Sequence, residues 1–525
     1  MTAVTKLRPG RRLASEEVTA FLESGLTHFK VPREYILVDE FPKSPAGKIL
    51  KKDLRAQLPC AKKPIGAQWP RPGIQDLPGN PARPPHRLHG AKIPTHSFIP
   101  KSTIIMLLKK SLPSSQQSCY INPHPAAGRA GLKGPTQMNH DPQFLTAAKL
   151  MNEFAGTTGL SPVGDAQRRY LWTDAFAVCN FLGLYKETND EIFKNLSLLL
   201  ADRVHEVLGR HRADDRRKGW ISGLDQREGE LHPTIGGLRI GKQLNERGPN
   251  DPVDDRLEWD RDGQYYHYLT KWMHALSTLT SVTGDSAYRR WAVELAKTAY
   301  AKFTYDDAQN RKRMYWKMSI DLSYPLVTSM GHHDPLDGLI TCSELQAGLA
   351  GNSDTSFDLS QEIDGLAGMC RGKDWTTGDP LGIGGLLSDA LRVAHLMDKV
   401  RFWPEGLLGD ILEACLIGLD AFSRSGLLNA PASYRLAFRE LGLSIGLHAL
   451  ERLQGLVAGG GEVPGKDRAV GRQMETLVKH CAVAGAIESF WLQPANRRAP
   501  VFMEHRDINT VMLATSLAPD GFLTL

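Results

Sequence analysis

A long polar stretch between Trp220 and His274 holds the densest group of side chains that could do chemistry. It is too long and too polar for an ordinary connection between two helices. Its carboxylates could hydrogen-bond hydroxyl groups, and its aromatic rings could stack on the faces of sugar rings. The residues that we expect to line a sugar pocket or act on its contents are Trp220, His232, Arg239, Glu258, Trp259, Asp260, Tyr265, Tyr266 and His267.

Similar mixtures of acids, histidines and tryptophans recur in four other places. They are Trp172–Asp174, Ser329–Gly338, Asp374–Gly385 and Glu504–Asp507. From the first two we take Trp172 as a further substrate contact and Asp174, His332, His333 and Asp337 as further catalytic candidates.

Two kinds of reaction fit these residue types. An inverting glycoside hydrolase needs two carboxylates about 6.5–9.5 Å apart, one as the acid and one to activate water. The carboxylate candidates for that reaction are Asp174, Glu258, Asp260 and Asp337. A sugar epimerase would instead use His267, His332 or His333 as acid/base groups, because imidazole titrates near neutral pH. The sequence leaves this choice open.

Each candidate also has a structural interpretation. Asp260 or Asp262 could cap a helix that begins near Gln264, and Asp174 could lie on the solvated face of its helix. Trp259, Tyr265, Tyr266 and Trp272 have near-helical spacing, which is common in a core.

Four polar residues close together, His332, His333, Asp334 and Asp337, could in principle ligate a metal ion. Adjacent histidines point in different directions, however, and the spacing matches no standard zinc pattern. We predict no metal and no cofactor.

The elements that would position these residues are helices. From Asp141 onward the chain repeats amphipathic helical patterns separated by loops with Gly, Asp and Pro. The predicted helices are Asp165–Leu184, Asn189–Leu208, Gln264–Thr283, Ser286–Phe303, Leu336–Leu349, Asp358–Met369, Ile383–Met397, Gly406–Phe422, Ala432–Leu453 and Gly471–Ala484. One segment, Arg311–Leu322, alternates like a short β-hairpin.

Paired helices joined by alternating short and long loops can be closed as an α-solenoid or as a helical toroid. No fixed repeat of about 34 or 40 residues is visible, which disfavours the solenoid. We therefore predict a mainly α fold in which residues 141–525 form an (α/α) toroid, with a pocket on the face that carries the long loops.

Residues 59–140 have a different composition. The part from Pro59 to Gln137 holds fourteen of the 32 prolines, and eleven Lys or Arg against one acid, Asp76. Such a segment cannot bury enough surface to offset its chain entropy, so we predict a disordered linker. Its cations lack the interleaved aromatics that stack on bases, so the net charge of +6 does not indicate a nucleic-acid partner.

Compartment and membrane association are predicted from what the sequence lacks. The seven cysteines show no paired spacing and the chain opens without a signal peptide, which indicates a reducing, cytoplasmic location. Apolar runs such as Ser102–Leu108 are far shorter than a membrane span of about 20 residues. We expect a small-molecule partner such as a carbohydrate and no membrane, and the oligomeric state is open.

The first 58 residues read as a small α+β segment. A helix is predicted over Ser15–Leu26, a strand over "EYILVDEF", and a tight loop at Pro42–Gly47 that ends at Lys48 before a second helix. Two motifs stand out, "KVPR" at Lys30–Arg33 and "PKSPAGKILKKDLR" at Pro42–Arg55.

These motifs resemble the end of the C-terminal lobe of AMP-forming acyl-CoA synthetases. The resemblance implies that Lys48 matches the lysine that reaches the carboxylate and the α-phosphate during adenylation, where a mobile ammonium neutralises developing charge. The phosphate-binding loop and the hinge aspartate of that family have no counterpart in the sequence. We expect Lys48 to be a vestigial adenylation lysine.

The number of helices, the domain size and the long loops rich in Trp, Asp and Glu resemble the six-hairpin glycosidase-like toroids. That resemblance implies a carbohydrate-active domain, either a glycoside hydrolase or a sugar epimerase, fused to an inactive ligase fragment. Two alternatives remain: a binding or scaffold protein without chemistry, and a ligase fragment that complements a separate ATP-binding lobe.

Overall fold

The computed structural model describes residues 2–5, 34–37 and 141–525, with gaps at 165–167, 255, 350–353, 398, 400–403 and 459–467. The chain divides into two compact units, Met1–Thr136 and Gln137–Leu525. In the first unit, β1 (Thr2–Thr5) pairs in parallel with β2 (Glu34–Leu37), which begins the predicted "EYILVDEF" strand. The predicted N-terminal helices, Lys48 and the linker lie outside the described residues.

The second unit is built almost wholly of helices. Their bounds are α1 Pro142–Thr157, α2 Leu171–Thr188, α3 Glu191–Leu208, α4 Gln226–Leu231, α5 Tyr266–Thr283, α6 Ser286–Phe303, α7 Asp334–Ala347, α8 Ser360–Cys370, α9 Pro380–Leu396, α10 Leu407–Arg424, α11 Ala437–Ala458, α12 Arg468–Leu477, α13 Ala482–Leu492, α14 Pro494–Arg497, α15 Pro500–Glu504, α16 Arg506–Leu517 and α17 Asp520–Leu523.

Six of these helices form a closed inner ring. Helix α2 packs against α5, α5 against α7, α7 against α9, α9 against α11, α11 against α16, and α16 returns to α2. Each inner helix is backed by an outer one, in the same order α3, α6, α8, α10, α13 and α1. The predicted mainly α toroid is therefore confirmed by the helix packing.

Residue pattern explains which helices are inside. Outer helix α3 buries one stripe, formed by Phe193, Leu196, Leu200 and Val204 at spacings of three and four. Inner helix α2 is buried continuously from Leu171 to Leu182, which is the pattern of a helix covered on all sides.

Short turns close one end of the ring. Asn189 (φ 54°) and Gly284 (φ 74°) end α2 and α5 in the left-handed conformation. Asp190 and Asp285 then cap α3 and α6 by accepting backbone N–H bonds from Ile192 and Ala287. The much longer connections 209–265 and 304–333 fall at the other end, where the inner helices α5 and α7 begin.

Short strands lie among these long loops. β3 (Gln264–Tyr265) pairs antiparallel with β6 (Lys317–Met318), which also pairs with β7 (Pro325–Val327). β4 (Thr304–Asp306) pairs antiparallel with β5 (Lys312–Met314). The prediction of one hairpin within Arg311–Leu322 was wrong, because its two strands bond to partners on either side of the segment instead of to each other.

None of the helices in the described part of the chain is long and apolar enough to cross a membrane.

Candidate functional site

The six inner helices all begin at the end of the ring that carries the long loops. We call this end the mouth. Polar side chains lie there, in the first turns of these helices or just before them. The N-terminus of a helix also favours negatively charged groups. The residues in question are Tyr170, His267, Asp334, Asp379, Arg439 and Asp507.

His267 and Asp334 lie next to each other at the mouth, at the beginnings of the neighbouring helices α5 and α7. His267 Nδ1 lies 3.5 Å from Asp334 Oδ1, with side chains 25% and 7% exposed. Both His267 Nδ1 and Asp334 Oδ2 are buried without a hydrogen-bond partner among the described residues. Buried polar atoms are nearly always bonded, so this pair is the place where a ligand would complete the hydrogen bonding.

The backbone at Gly331 makes room for that carboxylate. A Cβ at this position would overlap the carboxylate of Asp334. A side chain at Gly331 would therefore force Asp334 to move, and the glycine helps to fix where the carboxylate points.

Aromatic rings surround His267. The centroids of Tyr268, Tyr265, Trp172 and Trp316 lie 4.9, 5.3, 6.0 and 6.4 Å from that of the imidazole. The Trp316 ring is within 13° of parallel to it. We call these four residues the aromatic wall. Such rings can stack on the apolar faces of a cyclic ligand while hydroxyl groups bond elsewhere.

The wall also offers hydrogen-bond donors. Tyr170 and Tyr268 share a hydroxyl–hydroxyl bond of 2.7 Å, and burial raises the pKa of Tyr265 and Tyr268 well above the ordinary value, so both phenols keep their protons. Trp172 Nε1 is buried with no hydrogen-bond partner in the described part of the chain. At the outer edge, Trp259 is 56% exposed and meets Trp316 edge-on at 5.3 Å.

His332 and His333 bind a neighbouring loop. His333 Nε2 lies 2.9 Å from the carbonyl oxygen of Trp375, and His332 Nε2 lies 3.1 Å from that of Thr376. Burial lowers the pKa of His333 to about 4, so this imidazole is neutral at pH 7. The geometry gives these two histidines an anchoring contact, whereas His267 faces a carboxylate.

The predicted carboxylate candidates at Asp174 and Glu258 are each held by cations of their own. Asp174 accepts the Tyr170 N–H at 2.9 Å and lies 3.5 Å from Arg169, while burial raises its pKa to about 6. Glu258 lies 3.0 Å from Arg247 and 3.5 Å from Lys317.

Asp337 and Asp260 occupy different surroundings. Asp337 accepts a 2.8 Å bond from Thr270 and pairs with Lys271 at 2.5 Å. Asp260 is exposed and follows the short 3-10 turn Leu257–Trp259. Each of the four carboxylates therefore has surroundings of its own.

Four further candidates lie away from the mouth or inside the packing. Arg210 stacks on Trp220 at 4.2 Å, and His232 bonds Glu294 of outer helix α6 at 2.6 Å. Tyr266 is 1% exposed and packs against Phe303.

Arg239 belongs to the loop packing as well. It bonds Asp262 at 2.6 Å, and Asp262 also accepts the backbone N–H groups of Gly241 and Lys242. The helix after Gln264 begins at Tyr266 without a side-chain cap. The interpretation of Asp260 or Asp262 as its cap was therefore wrong, because Asp262 is occupied by Arg239 and the 241–242 backbone.

A layer of buried charges lies inside the ring, next to the mouth. It consists of Lys271, His274, Asp337, Glu344, Asp389 and Arg392. Arg392 bonds Glu344 at 2.5 Å and lies 3.4 Å from Asp389, and His274 bonds Glu344 at 2.9 Å. These contacts tie together α5, α7 and α9, whose first turns form one side of the mouth.

Several mouth residues were not predicted as site residues. The sequence pattern indicates Asp334 only as a possible metal ligand. It does not single out Tyr170, Tyr268, Trp316 or Arg439. Tyr268 directly follows His267, which was a signal available in the sequence. Trp316 reaches the mouth through the pairing of β6 with β3, which no local pattern indicates.

Comparison with known proteins gives short local matches to acyl-CoA ligases. A CoA ligase of Rhodococcus jostii is 44% identical over 50 residues, 10% of this chain and 10% of that protein. The mitochondrial medium-chain acyl-CoA ligase of Bos taurus is 38% identical over 56 residues, 11% and 9% of the two chains. The chain thus spans about a tenth of the length of these curated relatives. The predicted resemblance is confirmed as a local one, and no family model matches the chain.

Solved structures of several enzymes align with most of the chain at low sequence identity. The GH76A α-1,6-mannanase from Salegentibacter sp. is 12% identical, over 72% of this chain and 99% of that one, with a TM-score of 0.40. The cellobiose 2-epimerase from Spirochaeta thermophila is 11% identical, over 72% and 98%, with a TM-score of 0.37. At TM-scores this low, the toroid is established by the helix packing of this chain alone.

Proposed function

We propose that the mouth binds a carbohydrate and that His267, supported by Asp334, transfers a proton on it, as in a sugar isomerase or epimerase. The observation that carries this proposal is the pair of buried, unbonded atoms, His267 Nδ1 and Asp334 Oδ2, inside the aromatic wall. A sugar supplies what this place lacks: an apolar ring face for the aromatics and hydroxyl groups for the polar atoms.

The chemistry is proton transfer at the carbon next to a sugar carbonyl. His267 takes the proton from that carbon, and the electron pair of the C–H bond moves into the carbonyl, which becomes an enediolate. For isomerisation, the proton returns to the former carbonyl carbon while the proton of the adjacent hydroxyl passes to the former carbonyl oxygen, which leaves a carbonyl at the adjacent carbon. For epimerisation, the intermediate rotates so that its other face meets His267, which then returns the proton to the same carbon. Asp334 would stabilise the imidazolium, and the protonated phenols of the wall would donate hydrogen bonds to the developing oxyanion.

The same geometry disfavours a hydrolase. Asp337 is bound by Lys271, whose charge lowers its pKa against the effect of burial and makes it a poor general acid. Burial raises the pKa of Asp174 to about 6, but Arg169 and the Tyr170 N–H already occupy its two oxygens. The imidazole of His267, with the Asp334 carboxylate beside it, is a group that can both take and give a proton.

Solvent exchange tests the proposal directly. The full chain is incubated in D2O with a panel of aldoses, ketoses and reducing disaccharides, and NMR follows deuterium at the carbon next to the carbonyl. We expect exchange with at least one sugar, and a loss of about 100-fold or more in His267→Asn. His480→Asn, on an outer turn, is the matched control and should keep the wild-type rate. Hydrolysis of a glycoside without exchange would reject the proposal.

A non-catalytic sugar-binding protein is the second candidate, favoured by the exposed Trp259 at the edge of the mouth. It predicts that a sugar quenches tryptophan fluorescence equally in wild type and His267→Asn, with no exchange in either. The ligase-fragment alternative remains a prediction, because Lys48 lies outside the described residues.

A further inference from the structure

A cavity lies at the opposite end of the ring from the mouth. Its volume is about 400 Å³, and it is lined by His395, Lys399, Arg452, Gly455, Leu456, Leu523, Thr524 and Leu525. Helix α9 begins at Pro380 beside the mouth and reaches this cavity at His395. At a rise of about 1.5 Å per residue the two places are roughly 20 Å apart, so this cavity is separate from the proposed sugar site.

The cavity is lined by cations with incomplete bonding. Arg452 Nη2 pairs with Asp520 at 2.5 Å, but Asp520 is 81% exposed. Arg452 Nη1 and His395 Nδ1 are both buried without a hydrogen-bond partner among the residues that the structure describes. Glu451 also acts on Arg452, although its carboxylate is bonded to His448 at 3.1 Å.

The two cations of the cavity, Lys399 and Arg452, disfavour a third positive charge on His395. Burial lowers the pKa of His395, and the charges of Lys399 and Arg452 lower it further. Burial also lowers the pKa of Arg452, against the opposite effect of Asp520 and Glu451. Basic residues near helix ends usually bond the last carbonyl groups. Arg452 Nη1 and His395 Nδ1 make no such bond, so capping of a helix end does not explain their positions.

The other wall of the cavity is apolar. Leu456, Leu523 and Leu525 contribute side chains, and Gly455 leaves the helix surface open. A bare inorganic ion would satisfy the nitrogens and leave this surface uncovered. A ligand with a charged head and a hydrocarbon tail would use both parts.

We propose that this cavity binds a small organic anion, with a carboxylate or phosphate head on Arg452, Lys399 and His395 and a short apolar tail over Leu456 and Leu523. Such a ligand buries apolar area and completes the bonding of Arg452 Nη1 and His395 Nδ1. Charge-assisted hydrogen bonds of this kind are among the stronger polar contacts in proteins.

Titration calorimetry on the full chain tests the proposal with three probes: hexanoate, hexyl phosphate and inorganic phosphate. Comparing the first two distinguishes a carboxylate head from a phosphate head. Comparing hexyl phosphate with inorganic phosphate, which has no tail, shows how much the tail contributes to affinity. We expect at least one six-carbon probe to bind more tightly than inorganic phosphate, because its tail is buried. Equal affinity for all three, or no binding of any, would overturn the proposal.

Variants locate the binding. Arg452→Gln should weaken the best probe about tenfold or more, since it removes a charge-assisted bond. Lys399→Gln is an exposed change that leaves the fold intact and should weaken it as well. Arg424→Gln, an exposed arginine on α10, is the matched control and should bind as the wild type does. Unchanged affinity in both cavity variants would overturn the assignment, and His267→Asn should still bind the anion even if the sugar proposal fails.

Discussion

At the scale of single residues, the candidate carboxylates differ in the group that lies beside them. Asp174, Glu258 and Asp337 each have a cation within 3.5 Å. Asp334 instead lies 3.5 Å from the imidazole of His267, and its other oxygen has no hydrogen bond among the described residues. Under the proposed function, Asp334 is a positioning residue that acts through the imidazole.

Asp334→Asn tests that role. We expect kcat for proton exchange to fall about 100-fold while KM changes little, because the amide keeps the shape of the site but cannot stabilise an imidazolium. The pH dependence of kcat should also shift, which a merely structural change would not produce. Steady-state kinetics between pH 5 and 9 measures both, with Asp410→Asn on α10 as the control. A rise in KM alone would contradict the assignment.

Residue types indicated the kind of site but not which members act. His267 and Tyr265 were predicted from one polar stretch and Trp172 from another, and the ring centroids of Tyr265 and Trp172 lie within 6.0 Å of that of His267 in the structure. Tyr268 and Trp316, the other two rings beside His267, were not predicted. The partners of the carboxylates were hidden, because Lys317 reaches Glu258 from 59 positions away. Neutralisation by a distant cation leaves no trace in local sequence.

At the scale of elements, inner helices α9 and α11 cross with their backbones in contact. A Cβ on Gly384 would run into the backbone of Gly442, and a Cβ on Gly446 would run into that of Gly384. Gly385 is the next residue of α9, is exposed, and has no atom of the described residues within 4 Å of an added Cβ. Gly384 and Gly385 are therefore a matched pair for alanine substitution.

We expect Gly384→Ala to lower the free energy of unfolding by about 1–3 kcal/mol or more, since backbone cannot yield as a flexible side chain does. Gly385→Ala should raise it by about 0.5–1 kcal/mol, because alanine favours the helix. Urea unfolding followed by circular dichroism measures both. Equal effects at the two positions would mean that α9 and α11 do not touch at Gly384.

Helical periodicity predicted most of the ring. Ser286–Phe303 matches to the residue, and the other predicted helices overlap observed ones. α1 and α16 were missed, although they are the outer and inner members of the sixth pair. Helix α16 is buried over Asn509–Leu517 and carries several threonines and serines, so its pattern is not amphipathic.

At the scale of the whole molecule, that sixth pair joins the two ends of the helical unit. Glu153 of α1 bonds Arg497 at 2.9 Å and Arg506 at 2.8 Å, and Asn180 of α2 bonds the Val511 carbonyl at 3.2 Å. Closure brings α17 against α2, and it places the Phe522 carbonyl 2.9 Å from His274 Nε2. His274 thereby connects the last helix to the buried charges of the ring.

His274 should make the stability of the ring depend on pH. Burial alone would lower its pKa, but Glu344 raises it to about 9. Burial would raise the pKa of Glu344, but His274 and Arg392 lower it to about 2. The stabilisation from a raised histidine pKa is complete below about pH 6.5 and is lost as the pH rises through 9; that from the glutamate is complete above about pH 4.5 and is lost as the pH falls through 2.

We therefore expect the free energy of unfolding to fall by on the order of 3 kcal/mol from pH 6.5 to 9 through this pair, at ~1.4 kcal/mol per pH unit. Urea unfolding of wild type and His274→Gln at pH 5.5, 7.5 and 9 measures it. Burial lowers the pKa of Lys317 to about 8, which acts in the opposite sense above that pH. The difference between the two proteins cancels that contribution. If the difference in the free energy of unfolding between wild type and His274→Gln were the same at all three pH values, His274 would not change its charge on unfolding.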